Sequence, residues 1–270
     1  SADIAMSAAS RACSASRARA SRPRRGACSS YIDRAMAATA EGTWLQKMAA
    51  GLAKVKVGGV EIGTAPTAEA LSGPIDTKTY LEVIEQVAPI YDCLLGAGMG
   101  STILKKDIGG TCSSMREKLE GRHSMGGKDM PLEAGATLQG IVDWGMANVD
   151  RKKLVSDPMS TVRAVIWANR ASMFIAHFIK NMIDGLEGTV AARKAYDDNL
   201  KMYHGWITGK AVGGVMSLAP KKEKIFEAMG LPSEEEANKQ AKAFLDILLP
   251  LQAAIVKMLV EKNANFPEKV

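Results

Sequence analysis

Histidine, cysteine and aromatic residues, from which many catalytic, metal and stacking sites are built, are scarce in this sequence. Its 270 residues include three histidines and four cysteines, and aromatic residues make up 5%. His123, His177 and His204 have no partners at metal-ligand spacing, and no Gly-x-Ser-x-Gly motif marks a nucleophile. The cysteines lack Cys-x-x-Cys spacing and predict free thiols in a reducing compartment. The sequence therefore predicts neither an enzyme nor a cofactor.

Long uninterrupted apolar runs are also missing. A membrane-spanning helix needs roughly 18 to 20 consecutive apolar residues. The nearest candidate, Leu245–Val260, contains Asp246, Pro250 and Lys257. A transmembrane protein is therefore not expected, and the 47% hydrophobic content predicts a buried core instead.

Acidic residues are scarce in the first 40 positions. This segment holds seven arginines and two aspartates, so it carries +5 of the chain's net charge of +6. Its Ala/Ser/Arg-rich composition is typical of an organellar transit peptide, and equally of a disordered basic tail that a partner orders. An Arg-rich tail could also bind nucleic acid, but Tyr31 is its only aromatic residue for base stacking. We therefore expect no nucleic-acid partner.

The remainder of the chain divides into two parts. Between Glu41 and Lys56, apolar residues at helical spacing predict a short amphipathic helix that docks on the domain or on a partner. Gly58–Pro74 has the composition of a linker or a loose hairpin. The predicted organisation is an extension at 1–40, a short helix and linker at 41–76, and a domain at 77–270.

The domain at 77–270 follows the helical period and is predicted to be all α. Pro89 should bend the first helix, and Ser233 followed by three glutamates is a capping box that should open the last. Gly96, Gly98 and Gly100 follow a helix rather than a strand, so they predict an interhelical loop and not a phosphate-binding loop. The predicted helices are Lys78–Leu95, one from about Ser101, Leu132–Asn148, Ser160–Leu186, Val190–Tyr203, Ile207–Leu218, Lys222–Met229 and Ser233–Lys262.

Four ordered landmarks carry a family resemblance. They are Tyr-Leu-Glu through Ala-Pro-Ile-Tyr-Asp-Cys-Leu at 80–94, Lys-Asp-Ile-Gly-Gly at 106–110, Trp167 within an apolar helix, and Tyr-His-Gly-Trp-Ile at 203–207. In this order and spacing the domain resembles the glycolipid transfer protein family. The resemblance implies a two-layer helical sandwich of that type that holds one sphingolipid or glycolipid between its layers.

The resemblance also implies residue roles. Asp107 would accept hydrogen bonds from the ceramide amide and a sugar hydroxyl, Trp167 would stack on the first sugar, and His204 would donate to the ceramide carbonyl. Trp206 would dock at the membrane interface, which implies peripheral membrane contact. For each position there is an ordinary alternative, namely a solvated acid, a core tryptophan and a histidine that braces a turn.

Two positions depart from the family pattern. Where the family usually has an amide or base and then a lysine, this chain has Thr111 and Ser114, on the same helical face as Asp107. The branch that carries ceramide phosphate has a base where this chain has Trp167, so a phosphate headgroup is disfavoured. Arg163 and Arg170 lie one turn on either side of Trp167, and we predict that Arg170 helps to hold the headgroup.

Two functions follow from these observations. The first is the transfer of a sphingolipid, with a neutral sugar headgroup, between membranes and without chemical conversion. The second is an accessory role, in which the domain is a subunit of an organellar membrane protein complex joined through residues 1–76. The expected location is the cytoplasm, or a mitochondrion or plastid, with peripheral membrane association.

Overall fold

The computed structural model describes residues 42–95, 99–120, 124–157 and 160–269. Two predictions lie outside these residues: the nature of the 1–40 extension and the environment of His123. Of the predicted glycine loop, Gly96 and Gly98 also lie outside them, and Gly100 is not in a loop but in a helix that begins at Met99.

Helices make up most of the described chain, joined by two short antiparallel hairpins. The hairpins pair β1 (Lys56–Val57) with β2 (Val60–Glu61) and β3 (Ser124–Met125) with β4 (Lys128–Asp129). The α-helices are α1 (Trp44–Ala53), α2 (Thr77–Ile84), α3 (Ile90–Leu95), α4 (Met99–Leu119), α5 (Leu132–Gly135), α6 (Leu138–Asn148), α7 (Arg151–Ser156), α8 (Thr161–Ile183), α9 (Gly188–Asn199), α10 (Trp206–Met216), α11 (Lys222–Ala228) and α12 (Glu234–Glu261).

Helix α8 lies at the centre of the fold. Its side chains pack against α4, α9 and α12, and 16 of its 23 residues are buried. Ser160 caps its first turn by accepting a hydrogen bond from the amide of Arg163. Gly145 lets α6 approach α8 closely, since a Cβ there would lie 2.4 Å from Cγ2 of Val162. Because α8 is packed against three helices, the positions of its site candidates, Trp167 and Arg170, are fixed.

Helix α12 begins as the sequence predicts. The Ser233 side chain accepts a hydrogen bond from the amide of Glu236, and three glutamates occupy the first turn, where carboxylates interact favourably with the helix dipole. By length and hydropathy α12 could cross a membrane, yet its apolar face is buried in the core of the protein. The predicted face is buried throughout: Ala237, Ala241, Phe244, Leu248, Leu251, Ile255 and Met258.

The first predicted helix of the domain is interrupted before Pro89. Helix α2 passes into a 3₁₀ turn at Glu85–Val87, and α3 begins at Ile90. Proline has no amide hydrogen and its ring clashes with the preceding turn, so the break falls where the sequence places the bend. The predicted Leu132–Asn148 helix is likewise two helices, because Thr137 caps α6 through the amide of Gly140.

Helix α1 packs on the domain, which is one of the two alternatives that the sequence left open. Thr43 and Gln46 form a capping box at its start. The ring of Trp44 lies 5.7 Å from that of Phe244 in α12, and the indole nitrogen donates to the carbonyl of Gln86 at 3.0 Å. The apolar face of α1 therefore belongs to the same hydrophobic core as the helices that follow it.

Candidate functional site

Trp167 and His204 lie side by side although 37 positions separate them in the sequence. Helix α8 carries Trp167, whose ring is half-buried, and His204 follows the 3₁₀ turn at Lys201–Tyr203. Their ring centroids are 5.6 Å apart and the planes differ by 9°, so the rings are stacked. Two of the residues to which the family resemblance assigns headgroup roles thus form a single aromatic surface.

Burial and a nearby charge hold His204 in its neutral form. Burial is the larger effect and the Arg170 guanidinium adds to it, and together they lower the pKa of His204 from 6.5 to about 4. The Tyr196 hydroxyl lies 3.1 Å from Nδ1. In the tautomer in which Tyr196 donates to Nδ1, the histidine carries its proton on Nε2 and donates from there. A carbonyl oxygen is the acceptor that suits such a group.

Arg170 joins this aromatic surface to the end of the chain. Its guanidinium carbon lies 3.4 Å from the ring centroid of Tyr203 and 5.3 Å from that of Trp167. Nη2 donates to Oδ1 of Asn265 at 3.3 Å and to the carbonyl of Phe266. Burial lowers the pKa of Arg170 to about 10, so the group remains charged at neutral pH. The contacts of Arg170 within the described chain are therefore to rings and to this tail, and its headgroup contact stays a prediction.

The tail reaches Arg170 because α12 ends in a tight reversal. Asn263 adopts a left-handed conformation with φ of 53°, which asparagine tolerates better than most residues. The amides of Ala264 and Asn265 then donate to the carbonyl of Leu259, at 2.8 and 3.1 Å. This turn directs Phe266, which is 4% exposed, back towards α8.

Helix α4 contacts α8 and carries the other predicted headgroup residues. Asp107 lies in this helix, but its side chain is outside the described set. Thr111 is half-buried and Ser114 is buried, so this face turns inward rather than towards solvent. Gly109 and Gly110 are exposed, and a Cβ added to either would meet nothing within 4 Å. The helix surface at Gly109 and Gly110 is therefore open backbone.

Trp206 opens α10 and is 74% exposed, with Ile207 beside it at 57%. The amine of Lys210 lies 4.1 Å from the centroid of the Trp206 ring. An exposed indole, an exposed aliphatic residue and a lysine one turn apart form the combination found at membrane interfaces. This geometry suits the predicted docking role, which stays a prediction.

Three contributors to the site carry no assigned role in the sequence reasoning: Tyr196, Tyr203 and Asn265. A partial signal exists for the tyrosines, because Tyr203 adjoins His204 in the landmark motif and Tyr196 lies eight residues before His204. Asn265 had none, since it meets Arg170 across 95 positions of sequence.

Comparison with known proteins agrees with the fold, and the matched span contains all four landmarks. Residues 75–231 match the family model described as Glycolipid transfer protein (GLTP). The glycolipid transfer protein of Danio rerio is 26% identical over 220 residues, which cover 73% of this chain and 92% of that protein.

Solved structures show the same architecture. The mouse ceramide-1-phosphate transfer protein, in its apo form, superposes with a TM-score of 0.65 at 19% identity, covering 82% of this chain and 98% of that one. FAPP2, which selects simple glycosphingolipids using the GLTP-fold, superposes with a TM-score of 0.66 at 18% identity, covering 84% and 100%. The predicted all-α fold of this type is confirmed, and the chain belongs to the glycolipid transfer protein family.

Proposed function

We propose that this protein binds one sphingolipid with a neutral sugar headgroup and carries it between membranes without chemical change. The observation that carries the proposal is the stacked pair of Trp167 and His204. An indole offers a flat apolar face to a sugar ring, and a neutral histidine beside it offers one hydrogen-bond donor to the amide carbonyl of a ceramide.

The thermodynamic need for a carrier is large. Moving lipid chains through water costs roughly 0.8 kcal/mol per exposed CH₂, so a 16-carbon chain costs on the order of 10 kcal/mol. The core around α8 contains the residues that would offset this, among them Phe174, Phe178 and Met182, all of which are buried. Lipid chains would enter between the helices by separating these side chains.

A neutral headgroup is favoured because the two arginines nearest to Trp167 in α8 donate to backbone carbonyls of the protein. Arg170 donates to the carbonyl of Phe266, and Arg163 donates to that of Val155 at 3.4 Å. Thr111 and Ser114, where the family often has an amide or a base, bring no charge. A phosphate needs several cations directed at it, whereas a sugar can be held by Asp107 and the Trp167 face.

Exchange of fluorescent glucosylceramide between vesicles tests the proposal directly. Asp107→Asn should lower the transfer rate about tenfold or more, because it removes an ionised acceptor. His204→Phe should lower it about tenfold, since the ring still stacks but donates no hydrogen bond. His177→Phe is the matched control on α8 and should transfer at the wild-type rate. Absence of transfer by the wild-type protein, or full activity in both site variants, would refute the proposal.

A parallel assay with ceramide phosphate addresses the headgroup. We expect glucosylceramide to be transferred at least tenfold faster. Equal rates would mean that the headgroup assignment is wrong, while transfer as such would stand.

An accessory role in an organellar membrane complex is the alternative, favoured by the Arg-rich segment at 1–40 and by the altered positions Thr111 and Ser114. Because α1 uses its apolar face within the domain, a partner would contact the outer face of α1 and the extension. Purification of the full chain from its source decides between the two: a stable stoichiometric complex supports the subunit role, and a monomer supports the carrier.

A further inference from the structure

A small polar cluster lies inside the hydrophobic core, where apolar side chains are expected. Its members are Tyr80 on α2, Ser172 on α8 and Gln252 on α12, and each is at most 3% exposed. Residues from three helices thus bring a hydroxyl, a second hydroxyl and an amide to one place in the core.

The hydrogen bonds within the cluster fix its chemistry. The Ser172 hydroxyl donates to the backbone carbonyl of Asn169 at 2.9 Å, so it must accept from its other neighbour. That neighbour is Nε2 of Gln252, at 3.0 Å. The amide of Gln252 is therefore oriented with its nitrogen on Ser172 and its oxygen directed elsewhere.

Two atoms of the cluster make no hydrogen bond of ordinary length and angle within the described chain. They are Oε1 of Gln252, an acceptor, and the hydroxyl of Tyr80, which can donate. Burial is the largest influence on the pKa of Tyr80 and raises it, as does the nearby thiol of Cys112. The Ser172 side chain lies close enough to the phenol to lower this pKa in part, and the phenol stays protonated. Buried polar groups are almost always hydrogen-bonded, so an unmade donor and an unmade acceptor around one serine indicate a missing third group.

The cluster is separated from the predicted headgroup residues by the same number of residues along two neighbouring helices, α4 and α8. Ser172 of the cluster follows Trp167 by five residues on α8. Cys112, whose thiol lies near Tyr80 of the cluster, follows Asp107 by five residues on α4. Five residues of helix span about 7.5 Å. An extended polypeptide advances roughly 1.2 Å per backbone bond, and an extended acyl chain should advance by about the same length per bond. The cluster therefore lies about six acyl-chain bonds from the level of the headgroup residues.

We propose that Tyr80 and Gln252 form an internal site for one hydroxyl group on the acyl chain of the bound lipid, and so make this protein selective for hydroxylated chains. A hydroxyl is the group that fits, because it accepts from the Tyr80 phenol and donates to Oε1 of Gln252 at the same time. The inference rests on the proposed lipid-carrier function and adds a preference for the chain to one for the headgroup.

Competition among three synthetic glucosylceramides tests it. They share one headgroup and differ in the N-acyl chain, which carries no hydroxyl, a hydroxyl at carbon 6, or a hydroxyl at carbon 12. The full-length protein is incubated with vesicles that contain all three, re-isolated, and its bound lipid is quantified by mass spectrometry. We expect the 6-hydroxy lipid to be enriched about tenfold over the unsubstituted one, equivalent to 1.4 kcal/mol, and the 12-hydroxy lipid to show no such enrichment.

Two variants assign the preference to the cluster. Tyr80→Phe removes the donor and Gln252→Leu removes the acceptor, and each should reduce the enrichment to less than twofold while total bound lipid is retained. Tyr91→Phe, another buried tyrosine in the α2–α3 region, is the control and should keep the enrichment. Tyr80→Phe also removes an unsatisfied buried hydroxyl at constant shape, so the empty protein should melt no lower than wild type.

The outcomes separate the two proposals. Equal occupancy by the three lipids, or an enrichment that survives in both variants, would overturn the hydroxyl site and leave the carrier function standing; the cluster would then hold an ordered water molecule. No bound lipid of any kind would overturn both.

Discussion

The two sides of the candidate headgroup site are built in opposite ways. The His204 wall, which comprises Trp167, Arg170, Tyr196, Tyr203 and His204, is tied together by ring stacking, hydrogen bonds and a buried cation. The α4 wall, which comprises Asp107, Gly109, Gly110, Thr111 and Ser114, has exposed backbone at its two glycines. The residues of the first wall contact one another, whereas the two glycines of the second expose their backbone. The comparison thus sets a closely packed aromatic cluster against a helix with exposed backbone.

The largest expected effect comes from breaking the His204 wall at its buried cation. Arg170→Met removes two ring contacts and leaves the carbonyl of Phe266 without its donor. We expect a loss of about 3 kcal/mol of unfolding free energy, or roughly 6–12 °C in melting temperature. Thermal unfolding followed by circular dichroism measures it. Arg163→Met loses a hydrogen bond to the carbonyl of Val155 that is long, at 3.4 Å, and should cost less than about 1 kcal/mol. Equal losses in the two variants would argue against a special role for Arg170.

The next largest expected effect is a pH dependence of stability that arises from His204 in the same wall. The unfolded chain protonates His204 near pH 6.5, whereas the folded protein does so only near pH 4. Between these values the unfolded state binds more protons, so stability falls as the pH drops through this window. His204→Phe should therefore lose less stability than wild type between pH 7 and pH 4, as urea unfolding at a series of pH values can show. Parallel losses in the two proteins would mean that His204 is not held neutral.

The smallest effect is expected on the α4 wall and has the opposite sign. Gly109→Ala and Gly110→Ala should each raise the unfolding free energy by about 1 kcal/mol, because alanine favours the helix and the new methyl group meets open space. The same variants should slow glucosylceramide transfer, since the methyl group occupies the approach to the backbone. Stabilisation without slower transfer would mean that no ligand comes close to these glycines.

The sequence predicts the presence of the helices better than the residues at which they end. It also predicts the candidate site residues better than the side chains that hold them in place. Helix α12 is anticipated down to its cap at Ser233 because a capping residue and a long apolar period reinforce each other. Helix α7, of six residues, is missed because it is shorter than two helical turns and shows no usable period. The break before Pro89 follows from proline chemistry alone.

The site divides in the same way. Trp167, His204 and Trp206 were found through motifs that are local in sequence, and the structure places the first two against each other. Local motifs cannot predict the partners of Arg170. Asn265 and Phe266 reach it only because the chain folds back on α8 at the end of α12, and neither residue belongs to a local sequence pattern. The roles at a headgroup of Asp107, Thr111, Trp167, Arg170 and His204, and the docking role of Trp206, remain predictions.

The left-handed turn at Asn263 couples the order of residues 264–266 to the order of the His204 wall. Phe266 can meet Arg170 only if α12 is wound to its final turn, since Leu259 accepts the hydrogen bonds that reverse the chain. Fraying at the end of α12 would thus release the guanidinium and loosen the rings that it holds. Backbone amides of residues 264–266 should consequently exchange with solvent at rates close to those around His204, because the two segments open as one unit.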